Sequence, residues 1–213
     1  PIIGPTNEAG FKVSTPKGDA TQDQHGLLRE MKYTVTESTA NKAVFTKKYS
    51  ANTEVLNSKY PAKSTAEKLS WPYDFEFNKT FELKDDELVI TFTISGDEGM
   101  PFMLGYHPAF MLHSKNPIIS VGDKDISIDE VMAVGSRALQ VPNTNVISLS
   151  DEKKLQISTE GFKHFMLWTE VPNMVCIEPI TFYPYAVKQK NLADGFMYLT
   201  NKPSDFKVVL KPM

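Results

Sequence analysis

One cysteine, Cys176, stands in a chain of 213 residues, so no disulfide can form within it, and a reducing, cytoplasmic setting is the expectation. No apolar run approaches the roughly 20 residues that a helix needs to cross a membrane, and no signal-peptide pattern is present. Charge of neither sign prevails: 23 lysines and arginines face 26 aspartates and glutamates, a net charge of −3. The basic footprint that binds nucleic acid or an anionic membrane is missing, so neither is an expected partner. Lysines are spread along the chain, as on an ordinary solvated surface.

Chemical signatures are sparse as well. His25, His107, His113 and His164 are scattered, with no HxxxH or CxxC spacing, so no metal site is expected. A GxGxxG loop, a phosphate-binding GK-S/T loop and a GxSxG elbow are all missing, which removes support for nucleotide cofactors and serine-hydrolase chemistry. Long amphipathic helices are lacking too, and residues 53–60 and 64–69 are the best short helical candidates. No repeat, low-complexity tract or linker divides the chain, which reads as a single domain over 1–213.

What the sequence does have is alternation. From Phe75 to Leu83 the apolar residues Phe75, Phe77, Phe81 and Leu83 hold the odd positions, broken by Lys79, while Glu76, Asn78, Thr80 and Glu82 are polar. That period of two describes a strand with one wet face. Residues 84–87 turn the chain, and Leu88, Ile90, Phe92 and Ile94 resume the alternation, which predicts a hairpin. Shorter runs at 32–37, 43–49, 102–106, 118–121, 126–128, 145–149, 155–159, 165–169, 174–178, 196–199 and 206–210 read as further strands. Turn signals about every 8–12 residues are the spacing of a sandwich or barrel, so the fold class is all-β.

Three segments admit a chemical reading beside a structural one. In Gln24-His25-Gly26-Leu27-Leu28-Arg29 an imidazole and a guanidinium stand near one strand entrance, or else a turn carries a surface arginine. In Leu104-Gly105-Tyr106-His107-Pro108-Ala109-Phe110, His107 closes an apolar strand that Pro108 stops from extending. It is either a functional rim residue or a histidine with one satisfied hydrogen bond. In Val175-Cys176-Ile177-Glu178-Pro179 a carboxylate ends an apolar strand, where it faces solvent or is held in a polar site, since unpartnered burial is expensive.

Taken in order, these segments resemble the aldose 1-epimerase family. Pro1-Ile2-Ile3-Gly4 is similar to its FPIVG stretch, and the His25 segment to its HGFAR segment. Trp71-Pro72-Tyr73-Asp74-Phe75-Glu76 is similar to YPFDFE, Gly105 to Phe110 to GxHPAF, and Cys176-Ile177-Glu178-Pro179 to CIEPW. The resemblance implies a galactose-mutarotase-like β-supersandwich of two large, mostly antiparallel sheets. It also implies a small-molecule sugar as substrate, with His107 as catalytic acid, Glu178 as catalytic base, and His25 and Arg29 contacting the sugar.

That chemistry suits the residue types. Mutarotation opens a hemiacetal ring, so one group takes the anomeric hydroxyl proton while another protonates the ring oxygen. A carboxylate of ordinary pKa is ionised at neutral pH and ready as the base, and an imidazole raised by that carboxylate is a good acid. No metal or organic cofactor is required. Tyr106, Phe110 and Trp168 are candidates to stack on a sugar face, against the alternative of core packing. Arg29 alone is thin ground for a phosphorylated substrate, which leaves a neutral hexose as the expectation.

Departures from the family pattern are also legible. Pro5 stands where many relatives have Arg, Ile180 replaces the Trp after Glu-Pro, and Thr181 to Ala186 replace the usual continuation. No residue matches the aspartate that binds sugar hydroxyls in relatives; Asp23 and Asp129 are the carboxylates weighed for it. These changes motivate the alternative of a non-catalytic carbohydrate-binding protein of the same fold. Relatives also carry several strands before the FPIVG stretch, whereas this chain opens at Pro1. The expectation is an N-terminally incomplete domain whose open sheet edge is covered by further chain or by association into a homo-oligomer.

Overall fold

The alternation over 75–94 becomes a hairpin of Phe75–Lys84 and Glu87–Gly96, paired from Phe75 opposite Gly96 to Lys84 opposite Glu87. Asp85 closes it with a left-handed φ of 52°. Phe77, Ile90, Phe92 and Ile94 are buried, as the pattern requires. The computed structural model describes residues 12–213, so the Pro1-Ile2-Ile3-Gly4 stretch and Pro5 lie outside the described residues.

The hairpin supplies the sixth and seventh strands of an antiparallel sheet that has nine among the described residues. In spatial order its strands are Lys124–Ser127, Ile118–Val121, Val146–Ser150, Lys154–Glu160, Ser204–Pro212, Glu87–Gly96, Phe75–Lys84, Lys42–Tyr49 and Thr34–Ser38. A second antiparallel sheet has four strands, in the order Ala109–Met111, Met174–Ile180, His164–Trp168 and Leu139–Pro142.

The two faces of the four-stranded sheet part company residue by residue, as a period of two dictates. Phe165, Leu167, Val175 and Ile177 point one way and are fully buried against Phe77, Phe92, Ile147, Ile157 and Val208 of the larger sheet. Burying each contributes on the order of 1.5–3 kcal/mol relative to exposure. Met166, Trp168, Cys176, Glu178 and Ile180 occupy the alternate positions and point away from that core. Met166 and Ile180 join Ala138 there in a small second cluster, with Trp168 and Tyr183 against it. The outer face of the small sheet is thus left for a site.

Some elements differ from the sequence expectation. Residues 53–60 and 64–69 are not helical: Val55–Leu56 pairs with Lys68–Leu69, and turns fill the interval. Asn57 is the reason, because its buried side-chain amide donates to Ser64 Oγ and the Ala66 carbonyl and so closes a loop in place of a helix. The α-helix of the described residues is Ile128–Val134, started by a capping box of Ser127 and Glu130. At seven residues it is too short to show a period. The expected strand 102–106 is broken into a Pro101–Phe102 pairing with Met197–Tyr198 and a bridge from Gly105 to Ile180. No helix among the described residues is long and apolar enough to cross a membrane.

Candidate active site

Register builds the site. Ala109 pairs with Cys176, and four residues earlier Gly105 bridges to Ile180, with the Tyr106 N–H donating to the Pro179 carbonyl at 3.0 Å. The same spacing on both sides sets His107 across from Glu178, on the face turned away from the core. Pro108 has no N–H to give and interrupts the ladder between them. Gly105 permits the close approach, since a Cβ there would meet Ile180 Cγ2 at 3.2 Å.

His107 Nε2 lies 3.2 Å from Glu178 Oε1, the histidine side chain 40% exposed and the glutamate 1%. The two atoms are close without being aligned as donor and acceptor, and neither Glu178 oxygen accepts a hydrogen bond among the described residues. Burial is the dominant effect and raises the Glu178 carboxyl to about 8. Burial also lowers the His107 imidazole below its usual value, and the positive charge of Arg29 lowers it further. Both groups are driven toward their neutral forms. This reverses the expectation of an ionised carboxylate and a raised imidazole: desolvation outweighs the mutual attraction of a pair that lacks supporting hydrogen bonds.

His25 and Arg29 reach the same place through a tight turn. Gly26 adopts φ 67° and ψ 177°, and the short 3₁₀ turn Leu27–Arg29 follows. Gln22 accepts from the Leu27 N–H at 3.1 Å, Asp23 Oδ1 from the His25 N–H at 3.3 Å, and Leu27 is buried in the core. So anchored, the segment brings Arg29 Nη1 to 3.0 Å from His25 Nδ1. Arginine can only donate, so Nδ1 accepts and the His25 proton resides on Nε2, free to donate elsewhere. Burial, then Arg29 and Lys59, push His25 down to about 3, in keeping with a neutral ring. That ring stacks on His107, centroids 6.1 Å apart.

All four sequence-predicted residues line one cavity of about 370 Å³, together with Gln24, Ser136, Arg137, Ala138, Met166, Trp168, Glu170 and Tyr185. That volume is within the roughly 300–1,000 Å³ of small-molecule pockets. Of the three aromatic candidates, Trp168 belongs to the wall and stands edge-on to His107 at 6.0 Å. Tyr106 and Phe110 fall on the opposite face of the strand; Tyr106 packs on Phe92 at 5.1 Å and both join the core. Asp23 is buried beneath His25, held by Asn57 and Lys59, and Asp129 sits in the first turn of the helix; neither lines the cavity.

Sequence reasoning missed Arg137 and Tyr185. Tyr185 lies in the Thr181 to Ala186 stretch, so the departure from the family pattern falls on the cavity wall. Arg137 follows the unanticipated helix. One signal pointed to it: Arg29 and Arg137 are the chain's only arginines, and both border this cavity.

A sequence model of the family described as Aldose 1-epimerase matches residues 8–170 of the chain. The match includes His25, Arg29 and His107 and ends before Glu178, whose placement rests on the strand register. No curated protein is a match for the chain. Among solved structures, a galactose mutarotase related enzyme from Lactobacillus acidophilus superposes with a TM-score of 0.71 at 20% identity, covering 100% of this chain and 81% of that one. A galactose mutarotase-like protein from Lactobacillus casei ATCC 334 gives 0.69 at 13% identity, covering 95% and 80%. At such identities the likeness speaks for the fold alone, and the fold is the galactose-mutarotase-like one that the sequence led us to expect.

Proposed function

Because this chain belongs to the aldose 1-epimerase family, we propose that it is a mutarotase, interconverting the α and β anomers of a hexose in the cavity walled by His25, His107 and Glu178. The observation that carries this reading is the Glu178 carboxyl, buried and without a hydrogen bond among the described residues, 3.2 Å from an imidazole at the edge of a sugar-sized cavity. A buried acid left unsatisfied costs stability and calls for a role that an exposed residue could not fill.

The reaction moves two protons without net change. Glu178 takes the proton of the anomeric hydroxyl while His107 gives one to the ring oxygen as the bond from that oxygen to the anomeric carbon breaks. The aldehyde end rotates, and the ring oxygen attacks the other face with both transfers reversed. A positioned group contributes typically 10²–10⁴-fold to each such transfer. The resting pair carries one proton between its two members, and burial places it on Glu178. The working ion pair has the same composition with that proton on His107. Sugar hydroxyls entering the cavity supply the hydrogen bonds that the carboxylate lacks and favour the ionised arrangement. His25 Nε2–H and Arg29 are the donors that hold the sugar, and Trp168 offers it an apolar wall.

One observation narrows the substrate. With both arginines of the chain on the cavity rim and a guanidinium fork suited to phosphate and carboxylate, a hexose bearing an anionic group is favoured over a neutral one.

The test is polarimetric: the approach of fresh α-glucose, α-galactose and a hexose phosphate to anomeric equilibrium, with and without the protein. Acceleration of at least one sugar that disappears in Glu178→Gln is the expected result. Sugar binding by calorimetry with no acceleration of any would instead make the protein a carbohydrate binder.

A further inference from the structure

We propose that His107, Cys176 and Glu178 form a binding site for a zinc-like divalent cation, and that the ion blocks the cavity against sugar. Two strands create the donor set. Cys176 and Glu178 are two apart on Met174–Ile180 and share a face, and the register sets His107 across from Glu178 on that same face. One donor atom from each, imidazole nitrogen, thiol sulfur and carboxylate oxygen, all lie within 4.8 Å of one another.

The chemistry selects the ion. Sulfur and imidazole suit zinc, cobalt and copper, whereas calcium and magnesium require more oxygen donors than one carboxylate supplies. Zinc bonds of about 2.0–2.3 Å in tetrahedral geometry place neighbouring ligand atoms roughly 3.3–3.7 Å apart. The His107–Glu178 separation of 3.2 Å already fits. The Cys176 sulfur, within 4.8 Å of both, has to move closer for all three to hold the ion. A thiolate, a carboxylate and a neutral imidazole sum with a dication to zero charge, which suits a buried place, and any protons on sulfur and oxygen leave to solvent as the metal enters. Both Glu178 oxygens lack a hydrogen-bond donor among the described residues, and a cation satisfies one directly. The fourth position opens to the cavity, where water completes the sphere.

Binding does not depend on the mutarotase reading; inhibition does, because the ion holds the two groups assigned to proton transfer. Cys176 takes no part in that transfer. The experiment titrates the full chain, freed of metal with chelator, with cobalt(II) while recording the near-ultraviolet thiolate-to-cobalt charge-transfer band, and separately assays mutarotation against added zinc. One cobalt per chain with that band is expected, and the band is lost in both Cys176→Ser and Cys176→Ala. These variants keep the metal-free activity and need at least about tenfold more zinc for half inhibition, since losing even a supporting partner of a ligand costs roughly 10–100-fold in affinity. Cobalt binding without the band, or equal zinc inhibition of the cysteine variants, would overturn the site. A chain that shows the band but turns over no sugar leaves the site standing and removes the mutarotase reading instead.

Discussion

His107 and Glu178 face each other across two strands with 3.2 Å between Nε2 and Oε1, yet no hydrogen bond joins them. Most carboxylate–imidazole pairs at that distance strengthen each other's charge. Here burial prevails on both sides, and the pair rests neutral with one proton between its members.

That proton count sets a pH profile. With a second proton the pair has no base, and with none it has no acid, so kcat/KM is bell-shaped. Activity falls as pH rises through about 8, where Glu178 loses its proton. The acid limb lies below the usual histidine value of 6.5, because His107 is lowered. Rates measured on chelator-treated protein across this range check it, and activity still climbing above about pH 9 would contradict it.

Stability should run against catalysis at Glu178. Its pKa is 4.5 as an ordinary glutamate and about 8 in the fold, so the unfolded chain ionises first. The stability tied to the protonated form is complete below about 4.5 and is lost progressively as pH rises to about 8. Glu178→Gln cannot ionise and escapes that loss. Its melting temperature should equal the parent's near pH 4.5, exceed it by a growing margin up to about 8, and then stay above it by a few degrees or more. Thermal melts at several pH values measure this, and a variant less stable than the parent at pH 8 would show that Glu178 is satisfied in solution.

The sequence made the strands legible wherever one face was wet. Residues 75–83 and 88–94 alternate on either side of a turn, and both strands came out nearly to their ends. It failed where local side-chain bonds replaced periodicity, as Asn57 did at 53–69 and the Ser127–Glu130 box did at the helix. His25, Arg29, His107 and Glu178 were legible through their motifs, and the structure brings them together. Their electrostatics were not, because pKa depends on depth and on missing hydrogen bonds, which no motif encodes. The metal-type donor set was invisible for a related reason: a search for HxxxH or CxxC sees one element, whereas His107 and Cys176 meet across two.

Arg137 lends itself to a direct comparison of substrates. It stands at the cavity rim with its guanidinium 5.6 Å from the Tyr185 ring, and no ion pair holds it among the described residues. A hydrogen bond to a charged group is worth about 1.5–3 kcal/mol, or roughly 10–100-fold. Arg137→Met should raise KM for a hexose phosphate by about that factor and leave KM for the neutral hexose within about threefold. Steady-state kinetics on the paired sugars decide it. Equal effects on both would return the neutral hexose as substrate.

Gly26 shows why the histidine of the first motif is followed by glycine. At φ 67° and ψ 177° its backbone lies where a side chain is strained at a cost on the order of 1–3 kcal/mol. Gly26→Ala meets that cost partly by unfolding sooner, with melting lowered by roughly 2–4 °C for each kcal/mol in a chain of this size. The rest is relieved by shifting the turn on its His25 side, because Leu27 on the other side is fixed in the core while His25 is half-buried. His25 and Arg29 then lose their common aim into the cavity. His107 and Glu178, carried by strands that the turn does not touch, keep their separation. KM should therefore rise severalfold while kcat changes little, the pattern of lost binding with intact chemistry. Should kcat fall instead with KM unchanged, His25 would belong to the proton transfer itself.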